Sequence, residues 1–456
     1  MAKHMKWNLT TTQIIAFGFF CAILIGTILL CLPVSSASGQ TTPLIDSLFT
    51  STTSVCVTGL VVVQTSAHWS LFGQIVILCL IQLGGLGIVT FTTAIMMIAG
   101  KQITLYDRLL LEDAMNLNTL SGLIKFLKKV LKGTFLIEGI GFIGYSLVFV
   151  PEFGLVHGLG ISLFNAVSAF CNAGMDVIGA DSLSAYLTNP WVNLVTMFLI
   201  VMGGIGFIVW MDIASLIQNI LTKKIPIHHC LQRLRLHTKI VLLTTAVLIF
   251  GGACLIFLLE FHNPDTIGLL HVPQKMLASL FQSVTTRTAG FLTFSQKSMH
   301  PTTVLICLFL MFIGGSSIGT AGGIKTSTAA LLFLSARSTT KGDTHVVVFH
   351  KRIPHQTIKK ALAVTMVSSL VLIISTILLY ELEGGPLLDT AFETTSAIAT
   401  VGLTRDYTAH LHTPGKLIII LLMYLGRIGP ISMAIIFGNR QHKALVSYPE
   451  EDITVG

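Results

Sequence analysis

Residues 390–403 read TAFETTSAIATVGL, and three earlier stretches fall into register with them: SLFTSTTSVCVTGL at 47–60, SLFNAVSAFCNAGM at 162–175 and SLFQSVTTRTAGF at 279–291. Each has Phe near its start (Phe49, Phe164, Phe281, Phe392) and Gly near its end (Gly59, Gly174, Gly290, Gly402). The spacing is ten residues, and nine in the third copy. As helix, ten residues rise about 15 Å, half of the roughly 30 Å hydrocarbon core of a bilayer. The stretch is too short to cross a membrane and long enough to dip into one.

On either side of each stretch the chain is apolar. Runs at 14–32, 74–99, 134–150, 192–210, 240–259, 304–313, 361–380 and 417–437 recur along its whole length. Hydrophobic residues make up 53% of the chain and charged residues only 11%, against about 25% charged in a soluble domain. A second landmark follows every dip: LGGLG (83–87), MGGIG (202–206), IGGSSIG (313–319) and LGRIG (425–429). The repeat is therefore a span, a short polar helix ending at Gly, and a second span with a small-residue notch. The expected fold is an all-α polytopic membrane protein with eight transmembrane spans and four re-entrant pore loops around one central pore. Its pore units are residues 1–100, 101–221, 222–345 and 346–456, the last with a C-terminal tail.

Charge supports this threading. With the N-terminus inside, most of the 28 Lys and Arg fall between spans on the cytoplasmic face, including Lys125, Lys128, Lys129, Lys132, Arg233, Arg235, Lys351 and Arg352. Acids such as Asp46, Asp176, Glu260, Asp389 and Asp406 fall outside, where they concentrate cations at an outer mouth. Both termini are placed in the cytoplasm. The net charge of +8 is a topology signal and calls for no nucleic acid. The first run, followed by SSASG, also has the outline of a cleaved leader, but it belongs to the repeat. The eight cysteines are scattered without CxxC or metal-ligand spacing and read as small buried residues. His228 and His229 read as part of a solvated basic loop.

Irregular backbone at membrane depth is tolerated only when buried in protein or lining a water-filled cavity. Four such tips from four alike units surround one axis: Val57-Thr58-Gly59, Asn172-Ala173-Gly174, Thr288-Ala289-Gly290 and Thr400-Val401-Gly402. Gly permits the positive φ that the turn requires. Rings of main-chain carbonyls replace the hydration shell of a potassium ion in selectivity filters, and Thr400-Val401-Gly402 repeats the first letters of the TVGYG signature. Gly turns in an ordinary transporter would explain one such tip, but not four in register.

The inner half of the third unit departs from the pattern. FLMFIGGSSIGTAGGIKTSTAALLFL (309–334) holds five Gly (314, 315, 319, 322, 323) within ten residues, each weakening helix by about 1 kcal/mol relative to Ala. A broken span is expected, exposing a loop below the filter that contains Gly314, Gly315, Ser316, Ser317, Gly319, Thr320, Gly322, Gly323 and Lys325. The alternative is close helix packing through small residues. Lys325 and Arg427 lie inside spans, where charges are rare and functional. Arg427 stands where units one and two carry Gly85 and Gly204, and is expected to hold the loop by its carbonyls. Arg287 is expected to pair with Glu393 and brace the third tip. Glu138, inside a span, is either an interhelical contact or an ion site.

No Walker motif, HExxH or nucleophile–base pair occurs, which argues against an enzyme and against any use of ATP by this chain. Two readings compete: a channel-like potassium translocator, and a sodium-coupled carrier for another small cation or solute with a closed midplane site.

The four span–pore–span units, the single-Gly tips, TRTAGF in the third unit and GRIGP in the fourth resemble the Ktr/Trk/HKT superfamily of potassium transporters, and its KtrB-type membrane subunits most. The resemblance covers nearly all 456 residues. It implies potassium uptake across a bacterial plasma membrane, since Gly59 stands where sodium-selective relatives carry Ser. It further implies a homodimer on a cytosolic ring of nucleotide-binding RCK subunits, stimulation by sodium, and an intramembrane gating loop in the third unit. Potassium in the filter, with a sodium ion besides, would be the bound ions, without an organic cofactor. The closing SYPEEDITVG (447–456) resembles the family's short tail at the dimer interface.

Overall fold

The computed structural model describes residues 11–98, 104–114, 122–179, 181–222 and 230–429. The C-terminal tail, His228, His229 and the basic residues at 3, 6, 101, 223, 224, 440 and 443 lie outside these ranges. Apart from one two-stranded hairpin pairing Val347–Val348 with Lys351–Arg352, the described regular structure is helical.

Each unit opens with a long helix: Thr11–Cys31, Leu123–Phe153, Leu236–Glu260 and His355–Glu383, all apolar and long enough to cross a membrane. Their outward faces carry bare apolar side chains, such as Ile28 (65% exposed) and Phe250 (67% exposed), as a lipid-facing surface requires. Each is followed by a short helix, Leu44–Cys56, Leu155–Cys171, Val272–Thr285 or Leu387–Ile398. These four pore helices are the core. Phe49, Phe164, Phe281 and Phe392 are buried in them, and so are hydroxyls such as Thr50, Ser51, Thr52, Thr53 and Ser54. Buried hydroxyls and buried apolar side chains thus share the centre of the molecule, while its rim is apolar.

The second spans, read at 74–99 and 192–210 as apolar runs with a small-residue notch, are each divided into two helices. Leu71–Leu86 and Ile88–Ile98 are separated by Gly87 at φ 83°, and Pro190–Gly204 and Phe207–Leu221 by a break at Gly206 with φ 94°. Both pairs bend by 101°. Positive φ interrupts the helical path and only Gly adopts it without steric cost. Gly429, at φ 95°, ends the fourth unit's helix Thr413–Ile428 in the same conformation. In the third unit, helix Pro301–Phe312 stops and Thr326–Thr340 begins after an irregular segment. Helix starts follow chemistry visible in the sequence. Pro190 and Pro301 sit at first helical positions, where a missing N–H costs nothing. Asn189 caps its helix by accepting from Trp191 N at 3.0 Å.

The notches have a steric cause. A Cβ on Gly84, Gly203 or Gly426 would stand within 3.0 Å of the carbonyl oxygen of Val55, Phe170 or Ile398, respectively. These carbonyls lie at the end of their own unit's pore helix, so the Gly lets helix end and span touch. The ring of units closes between last and first: Lys416 Nζ donates to Asp46 Oδ1 at 2.8 Å, and Tyr424 Oη to the Ala16 carbonyl at 2.8 Å.

Candidate functional site

All four tips have one backbone path. The residue two before each Gly is left-handed: Val57 (φ 55°), Asn172 (60°), Thr288 (67°) and Thr400 (51°). The Gly itself has positive φ: 97° at Gly59, 63° at Gly174, 80° at Gly290 and 95° at Gly402. Asn tolerates the left-handed region, whereas the β-branched Val57, Thr288 and Thr400 are strained there, at about 1–3 kcal/mol each. Such strain persists only where surrounding structure over-determines it. The main-chain bonds Thr58 N to Thr53 O, Ala173 N to Ser168 O and Val401 N to Ser396 O, each 2.8 Å, supply that fixation.

A buried hydroxyl under each tip supplies more. Thr53 Oγ1 accepts from Gly59 N at 2.9 Å, and Ser396 Oγ from Gly402 N at 3.0 Å. Ser168 Oγ accepts from Met175 N at 3.1 Å, and Thr285 Oγ1 donates to the Phe291 carbonyl at 2.5 Å. These four braces were not anticipated. The signal that finds them is a Ser or Thr five or six residues before each tip Gly, in helices otherwise buried among apolar side chains.

The tips form a closed ring. A Cβ on Gly59 would stand within 3.0 Å of the Ala173 carbonyl oxygen, one on Gly174 of the Ala289 oxygen, one on Gly290 of the Val401 oxygen and one on Gly402 of the Thr58 oxygen. Unit one thus meets unit two, two meets three, three meets four, and four returns to one. Eight of the candidate filter residues, Thr58, Gly59, Ala173, Gly174, Ala289, Gly290, Val401 and Gly402, make these contacts, and Val57, Asn172, Thr288 and Thr400 immediately precede them. Four pore helices end just beneath it, and a helix C-terminus carries about half a negative charge. A cation placed in the ring would face four such ends.

Residues 313–325 lie against the third and fourth tips, at Thr288 and Thr400, and against the bend of unit two. Ser316 N donates to Gly204 O at 2.8 Å, Thr320 N to Gly203 O at 3.1 Å, and Phe207 N to Ile318 O at 2.8 Å, fastening the segment to the bend of unit two. Thr320 Oγ1 donates to the Phe170 carbonyl at 3.1 Å. A Cβ on Gly322 would overlap the Thr400 side chain, and one on Gly314 the Gly322 carbonyl. From unit four, Arg427 Nη1 donates to the Thr320 carbonyl at 2.6 Å and Nη2 to the Gly84 carbonyl, tying the segment to unit one as well. Lys325 Nζ turns back on its own loop, donating to Ala321 O at 2.7 Å. Gly314, Gly315, Ser316, Ser317, Gly319, Thr320, Gly322 and Gly323 all lie in this segment, with Lys325 at its end.

The expected Arg287–Glu393 pair is not formed. Arg287 lies at the inner end of the third tip and donates to main-chain carbonyls, Gly314 O at 3.2 Å and Thr245 O at 3.4 Å. Glu393 is held by its own unit: Thr404 Oγ1 donates to Oε2 at 2.7 Å and Thr408 Oγ1 to Oε1. The acid fixes the strand of chain leaving the fourth tip, and the base fixes the loop. Arg405 braces the outer face instead, at 2.6 Å from Asp389 and 2.7 Å from the Gln296 carbonyl of unit three. Glu138 is buried, with one carboxylate oxygen lacking a partner.

A buried main-chain ring of four like units, ringed by lipid-facing helices, defines a membrane protein built to pass cations. The chain belongs to the TrkH family of cation transport proteins, whose model matches residues 7–445. It is 40% identical to the Ktr system potassium uptake protein B of Bacillus subtilis, over 100% of this chain and 99% of that one. It is also 40% identical to the potassium/sodium uptake protein NtpJ of Enterococcus hirae, with the same coverage. The crystal structure of the potassium transporter TrkH from Vibrio parahaemolyticus has the same fold, with TM-score 0.72 at 16% identity, covering 96% of this chain and 87% of that one.

Proposed function

We propose that this chain is a channel-like potassium-uptake protein of the bacterial plasma membrane, with both termini in the cytoplasm. The closed ring of four equivalent tips carries the reading, because main-chain coordination of a bare ion needs equal geometry and not equal side chains. Thr58, Ala173, Ala289 and Val401 contribute carbonyls to potassium, and their Gly neighbours keep the ring narrow. The relatives named for potassium uptake support the choice of ion.

The segment 313–325 is the gate in this reading. It is fastened to unit two by hydrogen bonds and to unit four by Arg427, which also holds Gly84 of unit one, so moving it aside opens the path. The full protein is a homodimer on a cytosolic RCK-type ring that moves the loop, and sodium stimulates transport. The relative named for both potassium and sodium supports the sodium part.

The test is rescue of a potassium-uptake-deficient cell at low potassium, with and without sodium and with and without an RCK partner. Growth and rubidium uptake are expected, larger with both additions. Membrane-inserted protein that restores neither ends the reading. Flux that ranks sodium above potassium and rubidium favours the sodium-coupled carrier. Deleting residues 316–321 should raise flux and remove the need for the partner. Unchanged flux at equal expression would make the segment packing and not a gate.

A further inference from the structure

We propose that the cavity between the inner ends of units two and three holds the headgroup of an anionic phospholipid. Its volume is about 430 Å³, within the roughly 300–1,000 Å³ of small-molecule sites. Its basic side is Lys125 and Lys129, one turn apart on helix Leu123–Phe153, with Arg235 at the head of helix Leu236–Glu260. Its apolar side is Phe126, Ile208 and Met211. Asp212 also lines it, but accepts from Arg235 N at 2.9 Å and stands 3.8 Å from that residue's Nε. Three cations against one acid leave an excess of positive charge. The cavity also meets the start of helix Leu123–Phe153 at Gly122. Gly122 has no side-chain oxygen to cap the first turn, and the N–H groups at a helix start favour a phosphate.

Depth selects a lipid over a soluble phosphate. Counted from Thr134, where the apolar run begins, Lys129 stands about 7 Å and Lys125 about 13 Å away along the helix, at 1.5 Å per residue. Headgroups occupy roughly 5–8 Å beyond each face of the hydrocarbon, so Lys129 lies at headgroup depth and Lys125 just beyond it. The apolar side gives the glycerol and first acyl carbons a surface that an inorganic ion has no use for. Basic pockets between spans take anionic headgroups in this way. A lipid seated here would join the bent second span of unit two to the first spans of units two and three.

Which leaflet supplies the lipid rests on the threading proposed above; the binding itself does not, nor does it depend on which cation passes. The test uses the full-length protein in detergent, titrated with phosphatidylglycerol, phosphatidylcholine or inorganic phosphate and read by native mass spectrometry and melting. Phosphatidylglycerol is expected to stay bound and raise the melting temperature, and the other two to do neither. Lys125→Gln with Lys129→Gln should weaken phosphatidylglycerol binding roughly thirtyfold. Lys359→Gln with Lys360→Gln, two exposed lysines near the start of helix His355–Glu383, should leave it unchanged. Should the first double variant fail to fold, Ser215→Glu, at an exposed position on the cavity wall, sets a negative charge against the headgroup and should give a similar loss. Equal retention of the two lipids, an equal melting shift with phosphate, or equal phosphatidylglycerol binding in the parent and the cavity variants would overturn the site.

Discussion

Val57-Thr58-Gly59, Asn172-Ala173-Gly174, Thr288-Ala289-Gly290 and Thr400-Val401-Gly402 share one residue type and one backbone path, whereas LGGLG, MGGIG and IGGSSIG share most residues and follow two paths. The first two notches bend by 101° at a single Gly, and the third opens into a loop. At the ring, geometry is held constant while side chains drift, even to the point of placing β-branched residues in the left-handed region. Beneath it, one unit is released from the pattern and crosses to the other three. A pore needs four equal contributions at its narrowest point. In the proposed reading, the unequal third unit supplies the gate.

The largest effect should come from breaking the equality. Ser at Gly59, Gly174, Gly290 or Gly402 adds a Cβ that overlaps the next unit's carbonyl, at a backbone conformation costing an L-residue about 1–3 kcal/mol. Potassium uptake should fall roughly tenfold to a hundredfold, or sodium should gain relative to potassium in flux measurements. Unchanged rate and selectivity in all four variants would remove the ring from the conduction path.

Next is the inequality beneath. Arg427→Gln weakens two hydrogen bonds from a charged donor, each worth about 1.5–3 kcal/mol, and so loosens the loop from units one and four. Rubidium flux should rise about tenfold at equal surface expression. A drop in flux with normal insertion would mean that Arg427 supports the open path instead.

A smaller change sharpens the ring comparison. Asn172→Val gives unit two the left-handed Val of unit one, and should lower stability by about 1–2 kcal/mol, read as an earlier melt in detergent. An unchanged melt would mean that the surrounding bonds set this conformation regardless of side chain. Smallest of all, Lys416→Met breaks the pair with Asp46 between units four and one, whose side chains are each 16% exposed. The expected loss is about 0.5–1 kcal/mol, with selectivity intact.

The Phe-to-Gly spacing and the apolar runs made the four units and their dips legible in the sequence, because both rest on length and polarity. The bends were hidden for the same reason. Gly87 and Gly206 sit inside runs long enough to span, and hydropathy is blind to φ. Val57 and Thr400 carry no sign that their backbone turns left-handed, since it is imposed by main-chain bonds that close the end of each pore helix. Arg287 and Arg427 were recognisable as charges needing partners. Only Arg427 was given main-chain ones; Arg287 was sought among acids and found carbonyls, which every residue carries and no sequence displays. Glu393 went astray with it, held by Thr404 and Thr408 from the segment beyond its own tip.

Because the Gly402 step of the ring rests on the Thr58 carbonyl, and Lys416 on Asp46, the narrowest point has no complete form until the last unit is in place. On the ribosome this matters. A nascent chain with one, two or three units inserted holds an open arc and not a ring, with no selective passage through it. In the potassium-uptake reading proposed above, the seating of unit four against unit one is the condition for conduction.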